Sequence, residues 1–422
     1  MAIQNNFPNI RPTLNLNFAL SKRVDPRITF VRSTTATYFD QDGILQTAAA
    51  NQGRITFDPS TLDCQGLLIE EQRTNSIRNN TMQGAVAGTP GTAPTNWAVS
   101  GLGTLTQQVV GTGTSNGITY IDVRFSGTTS TTQLVIRFDG IGTIAAANGQ
   151  SWAISAWLAI VGGSAANTNN YTLANNLFDS GSVYIGEGPG ISLASPPTST
   201  FTRYSGAGTI SNASTASIRP YFYFLFASGV AIDITLRIGL PQLELGAFAT
   251  SVIPTTTTAL TRNADVASMT GTNFSSWYNA AEGTLFSESI NLPGQSAVVF
   301  PRIANINDGT TNNVITTIWR SDTSRLYGVV TTSGSGVADV GANGVTQTNA
   351  NKIALGYATN NFAASVNGGA VNTDTSGAVP TGLTTLGIGR QASAADFING
   401  YIRRIAYYPV RATNAQLQAL TG

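Results

Sequence analysis

The chain contains no histidine. That removes Ser-His-Asp and Cys-His catalysis, histidine-ligated zinc, and the side chain that ordinarily titrates near neutrality. It has a single cysteine, Cys64, which cannot close an intrachain disulfide, so cross-links do not stabilise it. No basic residue closer than Arg73 follows Cys64, and the thiol reads as inert rather than nucleophilic. Charge is scarce too: Asp, Glu, Lys and Arg make up 10% of the residues, against roughly 25% in an average soluble protein. With a formal net charge of +1 and no Lys/Arg cluster, the chain offers no electrostatic handle for nucleic acid or an anionic membrane. The most apolar stretch, YFYFLFASGVAI (221–232), falls short of the ~20 residues a membrane-spanning helix needs. No basic segment followed by an apolar run opens the sequence. We therefore expect no secretory signal, synthesis in a cytoplasm, and release only by lysis or within a larger particle. Heptads and collagen-like tracts are missing as well, so any oligomer must be built by β faces and edges.

What fills the chain instead is Gly, Thr, Asn, Ser and Ala, arranged as short strands between turn residues. Thr37–Asp40 and Ile44–Thr47 flank Gln41-Asp42-Gly43, a hairpin signal. RITF (27–30) and ITFD (55–58) alternate with period two, completing a small N-terminal β module. A Gly/Pro/Ala loop at 84–94 marks the first boundary. From Trp97 to Leu245 strands follow one another at regular spacing, as in a sandwich. In SIRPYFYFLF (217–226), Tyr221, Tyr223 and Leu225 share one face and Phe222, Phe224 and Phe226 the other. Both faces are apolar, which places this strand in the middle of packed sheets. The Thr-rich segment 251–268 reads as a linker, after which the strand pattern restarts. Only the C-terminus looks helical: Thr413 and Gln416 fit a capping box, with Leu417 and Leu420 pressed onto the sandwich.

Four features invite a functional reading. In GLLIEEQRTN (66–75) two carboxylates, Glu70 and Glu71, adjoin each other, and paired carboxylates are what a glycoside-cleaving site would use. Strand alternation sends them to opposite faces, whereas a catalytic pair must converge on one bond. Glu71 and Arg73, two apart, share a face and are expected to form a structural salt bridge. In INDGTTNN (306–313), Asn305 just before it, Asn307, Asp308, Asn312 and Asn313 supply oxygens, but only one is a carboxylate. The stretch reads first as a hairpin turn, then as a sugar contact through Asn307, Asp308 and Asn312 or a Ca²⁺ site; no resident metal or cofactor is expected. Aromatic rings are the usual platform for a sugar's apolar face, and Trp97, Trp152, Trp157, Trp277 and Trp319 are available. Trp152 and Trp157 lie on opposite faces of one strand, so Trp97 and Trp152 are taken as glycan contacts and Trp157 and Trp319 as core. GEGPG (186–190) and TSGSGVAD (332–339) lack the lysine and the strand-to-helix context of a phosphate loop.

Two regions are distinctive enough to carry a resemblance. LNFALSKRVDPRITFVRSTTATYFDQDGILQTAAANQGRITFD, followed by GLLIEEQRTN, resembles the module that opens many bacteriophage head-spike and tail-fibre proteins, over residues 12–80. KIALGYATNNFAASVNGGAV through FINGYIRRIAYYPVRATNAQLQALTG is similar to the concanavalin A-like (laminin-G-like) lectin domains of such proteins. The middle, with SWAISAWLAI and PQLELGAFATSVIPT, is similar to carbohydrate-binding jelly-roll modules.

The expected architecture is all-β in three parts: an attachment module at 1–82, a jelly-roll-like sandwich at 83–262 and a concanavalin A-like sandwich at 263–422. The resemblance implies a virion structural protein, trimeric, non-enzymatic, joined to other virion proteins by its N-terminal module and binding host-surface glycan. The alternatives are a head-fibre or collar protein making only protein contacts and, less favoured, a polysaccharide depolymerase.

Overall fold

A computed structural model describes residues 11–292, 300–393 and 395–422. The chain is all-β and divides into two compact units, one from Met1–Gln72 with Asn263–Gly422, the other Arg73–Arg262. The expected boundary at 82/83 is therefore replaced by one at 72/73. The second unit is an insertion in the sequence of the first.

In the first unit one sheet runs, in spatial order, through Asn372–Asp374, Asn361–Val366, Asn351–Ala358, Glu282–Asn291, Gly400–Tyr408, Cys64–Ile69 and Arg54–Phe57. Its neighbour contains Thr29–Val31, Val266–Thr270, Thr385–Ile388, Arg302–Asn307, Val314–Arg320, Arg325–Thr332 and Ser335–Ala342. Inward residues of both, among them Ile69, Leu285, Ile306, Trp319 and Leu355, form one core. Of the expected attachment module, residues 1–10 lie outside the described residues, and Leu14–Asn17 and Cys64–Ile69 join the sheet of the first unit. Leu67 pairs with Ile402, and Leu14–Asn17 pairs with the same C-terminal strand at residues 404–407. The apolar faces of these early strands are completed by strands more than 300 residues later, a pairing that local periodicity cannot reveal. The hairpin at Asp42-Gly43 does form, joining Ala36–Phe39 to Leu45–Ala48 with Gly43 at φ 71°. The final helix, Asn414–Thr421, carries the capping box, and Leu417 is buried against Phe286, Ala354 and Ala406.

The first unit also buries charge. Arg54 Nη2 lies 2.8 Å from Glu70 and 2.5 Å from Asp265, and Arg32 Nη1 lies 2.9 Å from Asp265. All four side chains are withdrawn from solvent. Backbone oxygens of Thr34, Thr37 and Ala49 accept further guanidinium bonds. Burial alone would push the Arg54 pKa down, but Asp265 and Glu70 beside it hold it above its ordinary value. The network ties the N-terminal segment to Asp265, within the stretch expected to be a linker. That stretch is structural: Val266–Thr270 is a sheet strand, and Thr255, in the second unit, is buried with its hydroxyl on the Ile77 carbonyl.

The second unit is a sandwich. One sheet runs Thr202–Thr209, Ser151–Ser164, Ala231–Leu245, Ile118–Thr128, Thr106–Ser115; the other runs Tyr184–Glu187, Thr168–Phe178, Ser217–Phe226, Gln133–Arg137, Ala98–Ser100. The core is apolar and aromatic: Phe125, Leu134, Ile136, Ile154, Leu158, Leu173, Phe222, Phe224 and Leu236. Each fully buried large side chain contributes roughly 1.5–3 kcal/mol. Arg73–Asn75 pairs with Leu260–Arg262, closing the unit where its chain begins and ends. The Asn75 side chain reinforces this, donating to the Ile253 carbonyl and accepting from Ile77 and Leu243.

Candidate functional site

The strand Ser217–Phe226 positions a site because its two faces differ. Phe222, Phe224 and Phe226 point into the core, and alternation turns Arg219, Tyr221 and Tyr223 to the opposite face of the sheet. On that face Tyr221 sits opposite Arg137 on one neighbouring strand and Ala174 on the other, while Tyr223 sits opposite Val135 and Thr172. Asn176 lies beside both Arg219 and Glu187, and Phe178 beside Tyr184. Together with Gln133 and Ile141 these residues, Ala174 and Thr172 excepted, line a cleft of about 370 Å³. Its size and its mixture of rings with a few polar groups are those of a small-molecule site.

The cleft floor is apolar: Val135, Ala174 and Tyr221 are buried against one another, with Tyr223 packed beside them. Tyr221 and Tyr223 stack with ring centroids 5.6 Å apart and planes 21° apart. Tyr223 is half-buried, and Tyr184, 54% exposed, stands edge-on to Phe178. Tyr221 donates its hydroxyl to Glu187 Oε1 at 3.0 Å. Burial, reinforced by the Glu187 charge, pushes the Tyr221 pKa well up, so it remains a neutral donor. Arg137 donates to the Ser100 hydroxyl, and Arg219 Nε donates to the Asp139 carbonyl at 2.7 Å. The Asp139 carboxylate is engaged elsewhere, by Arg78. Burial, and then the Arg137 charge, lower the Arg219 pKa to about 10; burial lowers Arg137 as well.

The residues singled out in the sequence lie elsewhere. Trp97 is buried in the core of the second unit, edge-on to Phe138 at 4.8 Å. Trp152 is buried there too, its Nε1 donating to Gln150. Both rings face inward, so neither offers a platform for a sugar. Trp157 is buried beside Phe201, and Trp277 and Trp319 belong to the core of the first unit. Asn307, Asp308 and Asn312 do form a turn, between Arg302–Asn307 and Val314–Arg320, but it is occupied with itself. Asp308 accepts from Thr310 and Asn313, the buried Asn307 side chain accepts from the Gly309 backbone N–H, and the Asn312 backbone N–H donates to the Thr310 hydroxyl. Burial raises the Asp308 pKa, but these donors outweigh it and hold the group below its usual range. No cluster of three Cys, Asp or Glu side chains able to hold a metal occurs among the described residues.

The strand Cys64–Ile69 ends before the paired glutamates, so it does not run on through Glu71. Glu70 is wholly buried in the arginine network, whereas Glu71 is partly exposed and exchanges hydrogen bonds with Asn399 at 2.8 and 3.0 Å. Arg73 opens the second unit, donating to the Leu245 carbonyl and lying over the Phe248 ring at 4.7 Å.

A wider groove of about 660 Å³ in the first unit is lined by Lys22, Tyr38, Asp40, Gln52 and Phe57 among others. Phe57 is buried with Lys22 over its ring at 5.5 Å, and Asp40 is spent on the Ile44 amide and Gln46 side chain of its own hairpin. The smaller cleft therefore has the better-prepared ring surface.

What the sequence reading missed is Arg137, Tyr184, Glu187, Arg219 and Tyr223. The signal was present in SIRPYFYFLF: period two groups Arg219 with Tyr221 and Tyr223, and a strand wholly inside packed sheets would not carry an arginine in that row.

No family model and no curated protein matches the chain. Among solved structures, the Ruminococcus gnavus IT-sialidase CBM40 bound to α2,3 sialyllactose is similar at 17% identity and a TM-score of 0.30, covering 34% of this chain and 84% of that one. The N-terminal CBM22-1-CBM22-2 tandem domain from Paenibacillus barcinonensis Xyn10C is 10% identical with a TM-score of 0.25, covering 79% and 100%. The Trypanosoma rangeli sialidase is 9% identical with a TM-score of 0.28, covering 89% and 60%. At these TM-scores the likenesses carry no argument about function.

Proposed function

We propose that the protein is a non-enzymatic glycan-binding protein whose binding surface is the Tyr221–Tyr223 cleft of the second unit. One observation carries this reading: partly exposed rings beside hydrogen-bonding Asn176, Gln133 and two arginines, on a rigid sheet. A pyranose ring has an apolar face for Tyr223 and Tyr184 and hydroxyls for the polar rim. Glu187 is the only carboxylate among the described residues lining the cleft, whereas glycoside hydrolysis ordinarily uses two acids about 5–9.5 Å apart. Adhesion thus fits this surface better than cleavage.

The resemblance of residues 12–80 to phage spike and fibre modules supports placing the protein on a virion, as a homotrimer engaging host-surface glycan. Multivalent display would raise the effective concentration of individually weak sugar contacts. Leu14–Asn17 and Cys64–Ile69 of that segment are built into the first unit's sheet, which favours assigning the first unit to contacts with other virion proteins and leaving sugar to the second. Affinity electrophoresis of the full chain through gels holding neutral or acidic polysaccharides tests the reading. Retardation is expected, and Tyr223→Ala should abolish most of it. Unretarded migration in every gel would overturn it, as would retardation that Tyr223→Ala leaves intact.

A further inference from the structure

The cleft holds two guanidinium groups and one carboxylate, and that carboxylate already accepts from Tyr221. Arg137 and Arg219 stand diagonally on adjacent strands, Arg137 facing Tyr221 and Arg219 two positions along from it. This spacing brings long side chains within reach of a common group. Among the described residues neither has a carboxylate partner. Arg137 bonds a hydroxyl and Arg219 a carbonyl oxygen, and nearby Asp139 is committed to Arg78. In a chain with so few charges, two half-buried like charges left side by side are costly: burial and then the Arg137 charge lower the Arg219 pKa, with Asp139 opposing them in part. In the first unit Arg32 and Arg54, by contrast, are neutralised by Asp265 and Glu70. The unneutralised pair instead borders the ring surface.

Resting on the glycan-binding reading, we infer that the cleft selects an acidic sugar, whose carboxylate is held by Arg137 and Arg219 while its ring lies against Tyr223 and Tyr184. A planar carboxylate suits the guanidinium fork, which can donate two parallel hydrogen bonds. The ligand class is a glycan containing uronic or other carboxylated sugars. With a formal net charge of only +1, long-range attraction is weak, so selectivity must arise in the cleft itself.

The experiment measures retardation of the full chain by polygalacturonate, neutral dextran and dextran sulfate, for the unaltered protein, Arg137→Gln, Arg219→Gln, Tyr223→Ala and the charge control Arg124→Gln. Arg124 and its partner Asp233 lie on adjacent strands of the sandwich's other sheet, away from the cleft strands. Polygalacturonate should bind at least about tenfold more tightly than dextran, each cleft arginine variant should lose about tenfold on polygalacturonate alone, and Arg124→Gln should change nothing. Equal binding of dextran, untouched by the arginine variants but lost in Tyr223→Ala, would overturn the acidic-sugar inference and leave glycan binding standing. Equal arginine-dependent binding of dextran sulfate would overturn the assignment to carboxylate. No binding to any polymer would overturn both readings. Arg137→Gln provides the second variant should Arg219→Gln, whose Nε holds the Asp139 carbonyl, fail to fold.

Discussion

Two pairs of arginines, one in each unit, are treated in opposite ways. In the first, Arg32 and Arg54 are drawn fully inside and matched by Asp265 and Glu70. In the second, the core is hydrocarbon and aromatic, and Arg137 and Arg219 sit half-buried at a cleft without a carboxylate partner among the described residues. A buried ion network contributes little net stability over a well-packed apolar core, but removing one member leaves an uncompensated charge. An unmatched pair of cations at a ring-lined surface costs stability, and in the proposed reading it supplies recognition. The contrast separates architecture from function using the same residue type.

The largest effect expected from breaking this contrast is at Asp265, which serves both Arg32 and Arg54. Asp265→Ala should cost about 3–5 kcal/mol in chemical denaturation, with little change in polysaccharide binding by molecules that remain folded. Phe222→Ala, which opens the core beneath the cleft, should cost a comparable ~3–5 kcal/mol in the second unit. Unlike Asp265→Ala, it should also weaken binding. Tyr223→Ala reverses the balance: it should abolish most binding while shifting stability by about 1 kcal/mol or less, because the ring is half-exposed. Glu71→Gln should fall within about 0.5 kcal/mol, since an amide oxygen can still accept from Asn399.

The smallest effect expected is that of pH near neutrality. With no histidine, stability and binding should stay flat between about pH 6 and 8. Loss should begin in acid. The hydrogen bond from Arg27 holds Asp25 below its ordinary value, and that from Arg124 does the same for Asp233. A carboxyl with a depressed native pKa stabilises the fold above its unfolded pKa, and the contribution disappears as pH falls through the native one. Asp396 runs the other way: burial raises its pKa, so its contribution is present in acid and lost as pH rises. Thermal unfolding monitored from pH 3 to 8 would check both signs.

Much of the fold was legible in the sequence because its signals are local. The alternation in SIRPYFYFLF, the Asp42-Gly43 turn and the Thr413–Gln416 cap are all present in the structure. The partnership of residues 12–69 with the C-terminal strand was not legible, because period two says which face a strand buries but not which strand completes the sheet. The candidate site was half legible. Tyr221 and Tyr223 were placed on one face, but Arg137, separated from them in sequence by six intervening strands, becomes their neighbour only through the register Arg137–Tyr221. Trp97 and Trp152 misled because the largest rings are also the best core fillers, and both are used that way here, as Trp319 is in line with its expected core role.

The central claim, that the second unit holds sugar at its Tyr221–Tyr223 cleft, is tested most directly by a crystal structure of the full chain with trigalacturonate. The account predicts sugar density against Tyr223 and Tyr184, with a carboxylate within hydrogen-bond distance of Arg137 and Arg219. Sugar density in the Tyr38–Gln52 groove of the first unit with the cleft vacant would contradict it.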